Sequence, residues 1–429
     1  MTFYEVAAII QSDNSEQLKD VIKEGRVNDI YMPSFLIQAC RDGFVECARV
    51  LLDYNVNINC RRKFWESVLK SACRSGNVDM LNLIIERGVT FNDSIILDLF
   101  ESEKLVRNTE IATILVDHIE DVNFRLEGRR NFLYYAACRA GNAVITRILL
   151  QRGALFMPDP WGPLETASQH GHLEMVRILL DRNTNAVSEC TSPIRVQRAL
   201  AAASRDGHID IVRCIVEYGT DAASLNSALS AAVYSSHVEV AAFLLFHGAD
   251  YNAVGSFNDS AWIQACRYAS PATVQLLLDR GADPNAVDAV GCSPLQIALS
   301  RPEITRRTRE DEAELNQPFY YGIIPLPEVA EQRDADHLQV LITVLLDRGA
   351  DPNLSEEATG QTPLMRAALK RRIGLTRLLL EYGADVTQVN NEGKSVLDML
   401  GQGPNYAKVR ELCTQYIERN MPDVMPVLK

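Results

Sequence analysis

The phrase Ala-Cys-Arg occurs at four places in this chain, ending at Arg41, Arg74, Arg139 and Arg267, and Ala-Ser-Arg repeats the pattern at Arg205. Further cations stand nearby in sequence: Arg61 and Arg62, then Arg129 and Arg130. Trp65, Tyr135, Trp161 and Tyr234 are interleaved with them. A guanidinium is planar, so it can pair a carboxylate through two parallel hydrogen bonds and stack on an aromatic ring. Arg, Trp and Tyr are also the types that dominate binding hot spots. The chemistry on offer is recognition of an acidic partner, set against the plainer reading of a solvated charged face.

Catalytic chemistry has no comparable signature. No G-x-x-x-x-G-K-[ST] or G-x-S-x-G phrase occurs, and no G-x-G-x-x-G opens a helix. His170 and His172 lie two apart in a turn, with no second ligand pair at zinc spacing. No residue is assigned a catalytic or metal-binding role, and no cofactor is expected.

The formal charge of −13 over 429 residues argues against nucleic acid and acidic membranes as partners of the chain as a whole. No stretch reaches the ~18 apolar residues of a membrane span. The opening MTFYEVAAII carries Glu5 and no basic region, so it does not read as a signal peptide. Cys40, Cys73, Cys138 and Cys266 share the small-residue position of one phrase and read as reduced core thiols. A cytoplasmic or nuclear setting and a monomeric state are therefore expected.

The arginines need elements to position them, and the chain supplies these by repetition. Turn glycines at Gly25, Gly88, Gly153, Gly219, Gly248, Gly281, Gly349 and Gly383 are spaced near multiples of 33 residues, with Asn55, Ile119 and Asn183 filling the missing places. An alanine keeps the same phase at Ala39, Ala72, Ala137, Ala167, Ala203, Ala232, Ala265, Ala298 and Ala367. Three residues earlier stands a leucine, except at Tyr134 and Trp262. Thr362 to Thr387 is the clearest unit: Thr362 as N-cap, Pro363 at the first helical position, a short helix, a longer one, and Gly383 as C-terminal cap.

Thr362, Pro363, Leu364 and Ala367 resemble the T-P-L-H-x-A signature of the ankyrin repeat, with Met365 in place of the His. The resemblance implies an all-α ankyrin-repeat solenoid of helix-turn-helix units joined by short β-turn or hairpin connections, with about twelve repeats, several degenerate. The expected organisation is repeats one to eight and the first helix of the ninth over 1–301, then an insertion at 302–336. The remaining repeats and a capping unit occupy 337–418, with a tail at 419–429. The unit near Asp93–Asn123 is the most degenerate. The insertion holds Glu310, Asp311, Glu312 and Glu314, and the basic Lys370-Arg371-Arg372 is expected to meet them.

The resemblance also implies where binding occurs: a concave groove lined by turn tips and the outer ends of first helices. Placed there, Arg41, Arg61, Arg62, Trp65, Arg74, Arg129, Arg130, Tyr135, Arg139, Trp161, Arg205, Tyr234 and Arg267 make a basic, aromatic-bearing groove in an acidic chain. The expected function is a non-enzymatic protein-interaction scaffold that binds an acidic segment. The alternative is a small-molecule binder or unorthodox enzyme, with a pocket between the groove and the insertion that uses Tyr320 and Tyr321.

Overall fold

The computed structural model describes residues 2–59, 67–91, 108–119, 121–122, 137–154, 162–181, 192–254, 259–300, 333–401 and 404–420, with 333–336 described by backbone alone. These residues form pairs of short helices, as expected. The chain divides into two compact units, 1–203 with 210–219, and 204–209 with 220–429.

In the first unit the pairs are Phe3–Gln11 with Ser15–Lys23, Met32–Asp42 with Val45–Asp53, and Val68–Ser75 with Val78–Glu86. Second helices Thr109–Asp117 and Ala143–Gln151 follow, then the pair Pro163–Gln169 with Leu173–Leu180. Thr109–Asp117 lies in the most degenerate unit, and its second helix is intact despite the missing glycine. In the second unit the pairs are Ala222–Tyr234 with Val238–Phe246, Ala261–Tyr268 with Pro271–Asp279, and Pro294–Leu299 with Arg333–Asp347. Pro363–Leu369 with Ile373–Glu381 and the closing Val396–Leu400 with Ala407–Asn420 complete it.

First helices begin at residues whose side chains replace missing backbone acceptors. Ser67, Ser260, Ser293 and Thr362 sit in extended backbone and accept from the amide three residues on. Pro294 and Pro363 follow at positions where an amide would have no partner anyway. The repeating alanines are all fully buried, and so are the leucines that precede them. Trp262, 1% exposed, fills the leucine position where the sequence breaks its pattern. Hairpin-like tips occur in the second unit: Val254 pairs antiparallel with Ser260, and Asp288 N donates to Cys292 O at 3.0 Å.

The helix after the insertion begins at Arg333, so it runs back into the stretch assigned to the insertion. Its amphipathic pattern is clear only from about Val340, which is why the first turn reads as loop in sequence. Residues 302–332, with the acidic run and both tyrosines, lie outside the described residues.

In most of the described pairs the turn is closed by a residue in the left-handed region, and at some of these the next repeat packs against it. Gly141 (φ 73°) is one such position. His172 Nε2 donates to Arg139 O at 2.9 Å, which lays its ring against that glycine. A Cβ on Gly141 would fall 2.5 Å from His172 Nδ1. Gly153 has the same backbone (φ 77°) but open space around it. Each Gly→Ala change carries about 1 kcal/mol of left-handed strain. Gly141→Ala should cost at least about twice as much as Gly153→Ala, because it also displaces the imidazole. Urea midpoints of the two variants measure the difference; equal losses would show that the histidine contact carries no weight.

Candidate interaction surface

The arginines come from the last turns of first helices, two residues before the turn glycine. A cation there faces the negative end of the helix dipole, so the position suits arginine with or without a partner. In the first unit Arg41, Arg74 and Arg139 are all exposed. Arg41 Nε lies 3.4 Å from Asp42 Oδ1, a weak surface pair. The side chains of Arg74 and Arg139 have no hydrogen-bond or ion-pair partner among the described residues. Arg61, Arg62, Trp65, Arg129, Arg130, Tyr135 and Trp161 lie outside the described residues.

In the second unit the same position looks different. Arg205 is half-buried. Tyr234 takes the arginine's place in its repeat, with its ring centre 5.4 Å from that of Tyr268. Arg267 Nη2 lies 3.4 Å from Asp259 Oδ2 and 3.7 Å from Asp288 Oδ2, and its side chain is about one-third exposed. Two carboxylates from neighbouring tips therefore already hold this guanidinium. Charge in the sequence alone made it equivalent to Arg74; the tips brought beside it by folding make it a structural residue.

A polar cluster that sequence did not reveal ties the repeats on either side of the insertion. Glu356 is 9% exposed. Its Oε2 accepts from Arg366 Nη2 at 2.7 Å and from Thr359 Oγ1 at 2.5 Å, and its Oε1 accepts from the Cys292 thiol at 3.1 Å. Burial alone would raise the Glu356 carboxyl, but the hydrogen bonds from Thr359, Cys292 and Arg366 outweigh it and hold the group below its ordinary range. The same burial, with the hydrogen bond to Glu356, pushes the Cys292 thiol up to about 11, which favours the protonated form. Gln296 Nε2 donates to Gln361 O at 2.7 Å, and Arg366 Nη1 donates to Gln296 O at 3.3 Å. Glu356 looks like any exposed loop acid in sequence, and nothing in its spacing distinguishes it.

Lys370 and Arg372 belong to this same seam. Lys370 Nζ donates to Leu299 O at 2.9 Å, and Arg372 Nη1 lies 3.4 Å from the same oxygen. They cap the unpaired carbonyl end of Pro294–Leu299, the last described helix before the insertion. A basic spot expected to await the acidic run thus serves the backbone of the preceding repeat. An open cavity of about 470 Å³ lies beside it, lined by Leu369, Lys370, Arg371, Arg372, Asn405 and Tyr406.

Among the described residues, no group of three or more His, Cys, Asp or Glu side chains could hold a metal ion. No described helix is long and apolar enough to cross a membrane.

Paired short helices, alanine-spaced packing and glycine-closed turns define a helical repeat protein. Family models for ankyrin repeats match residues 6–95, 104–190, 185–255, 258–289 and 345–400. The chain belongs to the ankyrin-repeat family, whose repeats form protein–protein interaction domains. It is 27% identical over 312 residues to the ankyrin repeat protein nuc-2 of Neurospora crassa, covering 68% of this chain and 26% of that protein. It is also 27% identical over 181 residues to a rice protein described as the probable E3 ubiquitin-protein ligase XBOS32, covering 42% of this chain and 35% of the other. Both matches span about a third or less of the relative's length. Among solved structures, the ankyrin repeat domain of Bcl-3 matches at 22% identity and a TM-score of 0.42, over 60% of this chain and 99% of that domain.

The Glu356 cluster gives a pH-dependent prediction. A carboxyl held low in the folded state adds stability above its ordinary value near 4.5, and that stability is lost as pH falls through the folded value. Arg366→Met removes a charge-assisted partner from a buried carboxylate and should cost about 2–3 kcal/mol at pH 7. The loss should shrink as pH falls below the ordinary value of 4.5 and through the lower folded value, where the carboxylate protonates. A loss independent of pH between 3 and 7 would show that packing, not charge, is what Arg366 contributes.

Proposed function

We propose that this domain is a non-enzymatic scaffold that grips an acidic protein segment through the arginines at its first-helix ends. The observation that carries the reading is the contrast among those arginines. Arg74 and Arg139 recur at one repeat position, are exposed, and have no carboxylate partner within the described fold. Arg267 stands at the same position and is already bridged by Asp259 and Asp288. The first unit thus presents guanidinium groups with no carboxylate partner among the described residues, in a chain of net charge −13. Rigid helix ends present them at low conformational cost, and two or more such groups acting on one segment combine charge with geometry. Seven of the eight described cysteines are buried, and all eight are free, which fits work in a reducing compartment.

The test is affinity capture with the wild-type chain and with Arg41, Arg74 and Arg139 each changed to Glu in one variant. The expected outcome is a retained partner whose binding region is acidic, whose binding weakens with added salt, and which the variant loses. Retention of the same proteins by both forms would overturn the reading.

A further inference from the structure

Seven second helices among the described residues end on an exposed acid or amide. Asp53, Glu86, Asp117, Gln151, Asp279, Asp347 and Glu381 all hold this place as the last helical residue. Three of these acids are used by the following repeat. Arg87 Nη2 lies 2.8 Å from Asp53 Oδ1, Arg348 Nη2 lies 2.5 Å from Asp279 Oδ1, and Tyr382 Oη donates to Asp347 Oδ1 at 2.5 Å. Each reaching group stands immediately before a turn glycine, 34 residues after its acid in the case of Arg87. Arg152, at the same place, instead donates to the carbonyls of Val116 and Ile119.

Ser15–Lys23, Leu173–Leu180 and Ile209–Tyr218 end otherwise, and so does Val238–Phe246, which among these puts a largely exposed apolar ring at its end. Its last residue is Phe246, 79% exposed. One turn earlier, where other repeats carry Arg49, Arg147, Arg177 or Gln275, it carries Ala242. Phe243 packs its ring 4.0 Å from His247, whose ring centre is 5.3 Å from that of Phe246. A helix apolar on nearly every side normally lies covered. Arg280 stands before Gly281, 34 residues after Phe246, the register at which Arg87 meets Asp53. Its side chain is exposed and has no hydrogen-bond or ion-pair partner among the described residues. The repeat has kept the cation and replaced its carboxylate with an exposed ring.

We propose that Phe246 and Arg280 form a second docking point, on a helix distinct from those that carry the arginine row. Its occupant is a partner segment that presents an apolar side chain next to a carboxylate. The apolar side chain covers Phe246, and the carboxylate takes the place that Asp53 or Asp279 fills elsewhere. The missing charge selects this occupant over the alternatives. A second copy of the chain, packed on this face, would join two molecules of charge −13. An anionic vesicle would meet the same net charge, with one guanidinium to offset it.

The test uses a blocked synthetic peptide of Leu and Glu and its Leu and Lys counterpart, with binding followed by fluorescence anisotropy. The protein carries Arg74→Glu and Arg139→Glu throughout, so that the arginine row of the proposed function is silent and the two sites fail separately. The Glu peptide is expected to bind and the Lys peptide to bind at least tenfold more weakly. Phe246→Asp, which restores the repeat acid and gives Arg280 its internal partner, should weaken the Glu peptide at least tenfold, as should Arg280→Glu. The melting midpoint of Phe246→Asp should equal or exceed that of its parent, since the ring is kept for contact and not for folding. Absence of Glu-peptide binding at millimolar concentration, equal binding by Phe246→Asp, or equal affinity for both peptides would overturn the proposal. So would a lower melting midpoint for Phe246→Asp.

Discussion

The close approach of first helices at a single alanine per repeat sets the terms for the whole molecule. Ala39 and Ala72 in one unit, and Ala265, Ala298 and Ala367 in the other, are fully buried. A helix pair this short has no core of its own, so its apolar faces find cover only against the pairs before and after it. The leucine three residues earlier fills the space beside each contact, and where Trp262 replaces it the indole is buried just as deeply. A side chain much larger than alanine at the contact would part the helices and uncover both neighbours.

That packing leaves the turns to be satisfied by hydrogen bonds between repeats. Asn77 caps its own helix by accepting from Met80 N, and its Nδ2 donates to Gly43 O of the preceding turn at 3.2 Å. Asn353 does the equivalent at the tips, with Nδ2 to Gly383 O at 3.2 Å and Oδ1 accepting from Asp385 N at 2.7 Å. One amide side chain thus locks the spacing of two turns. The seam around Glu356, Arg366 and Lys370 extends the same device between Pro294–Leu299 and the repeat of Pro363–Leu369. Charges drawn into such seams are spent on the fold, and only those left out of them are open to partners.

The exposed surface is where repeats are free to differ, because an outward side chain has no neighbour to fit. Arg74 and Arg267 illustrate this from one sequence position: the first has no side-chain partner among the described residues, the second lies beside Asp259 and Asp288. Phe246 and Arg280 illustrate it on second helices, where an acid that is paired in three other repeats is replaced by an exposed ring. Departure from the repeat, more than adherence to it, is what distinguishes one exposed surface from the next.

The sequence by itself determined the architecture. Thr362-Pro363-Leu364, the alanine phase and the turn glycines are local signals, each tied to a cap, a helix start or a left-handed turn, and repetition averages out their errors. It also located the arginine row, since those residues share the phase. It misplaced the start of the helix at Arg333, where the amphipathic pattern is silent. What only the tertiary structure decided is which charges remain available. Lys370 and Arg372 cap Leu299, and Glu356 lies under Arg366, through contacts between residues that are ten or seventy positions apart. Solvation and pairing depend on what lies across the repeat boundary, and that is a property of distance in space that a charge pattern along one chain does not contain.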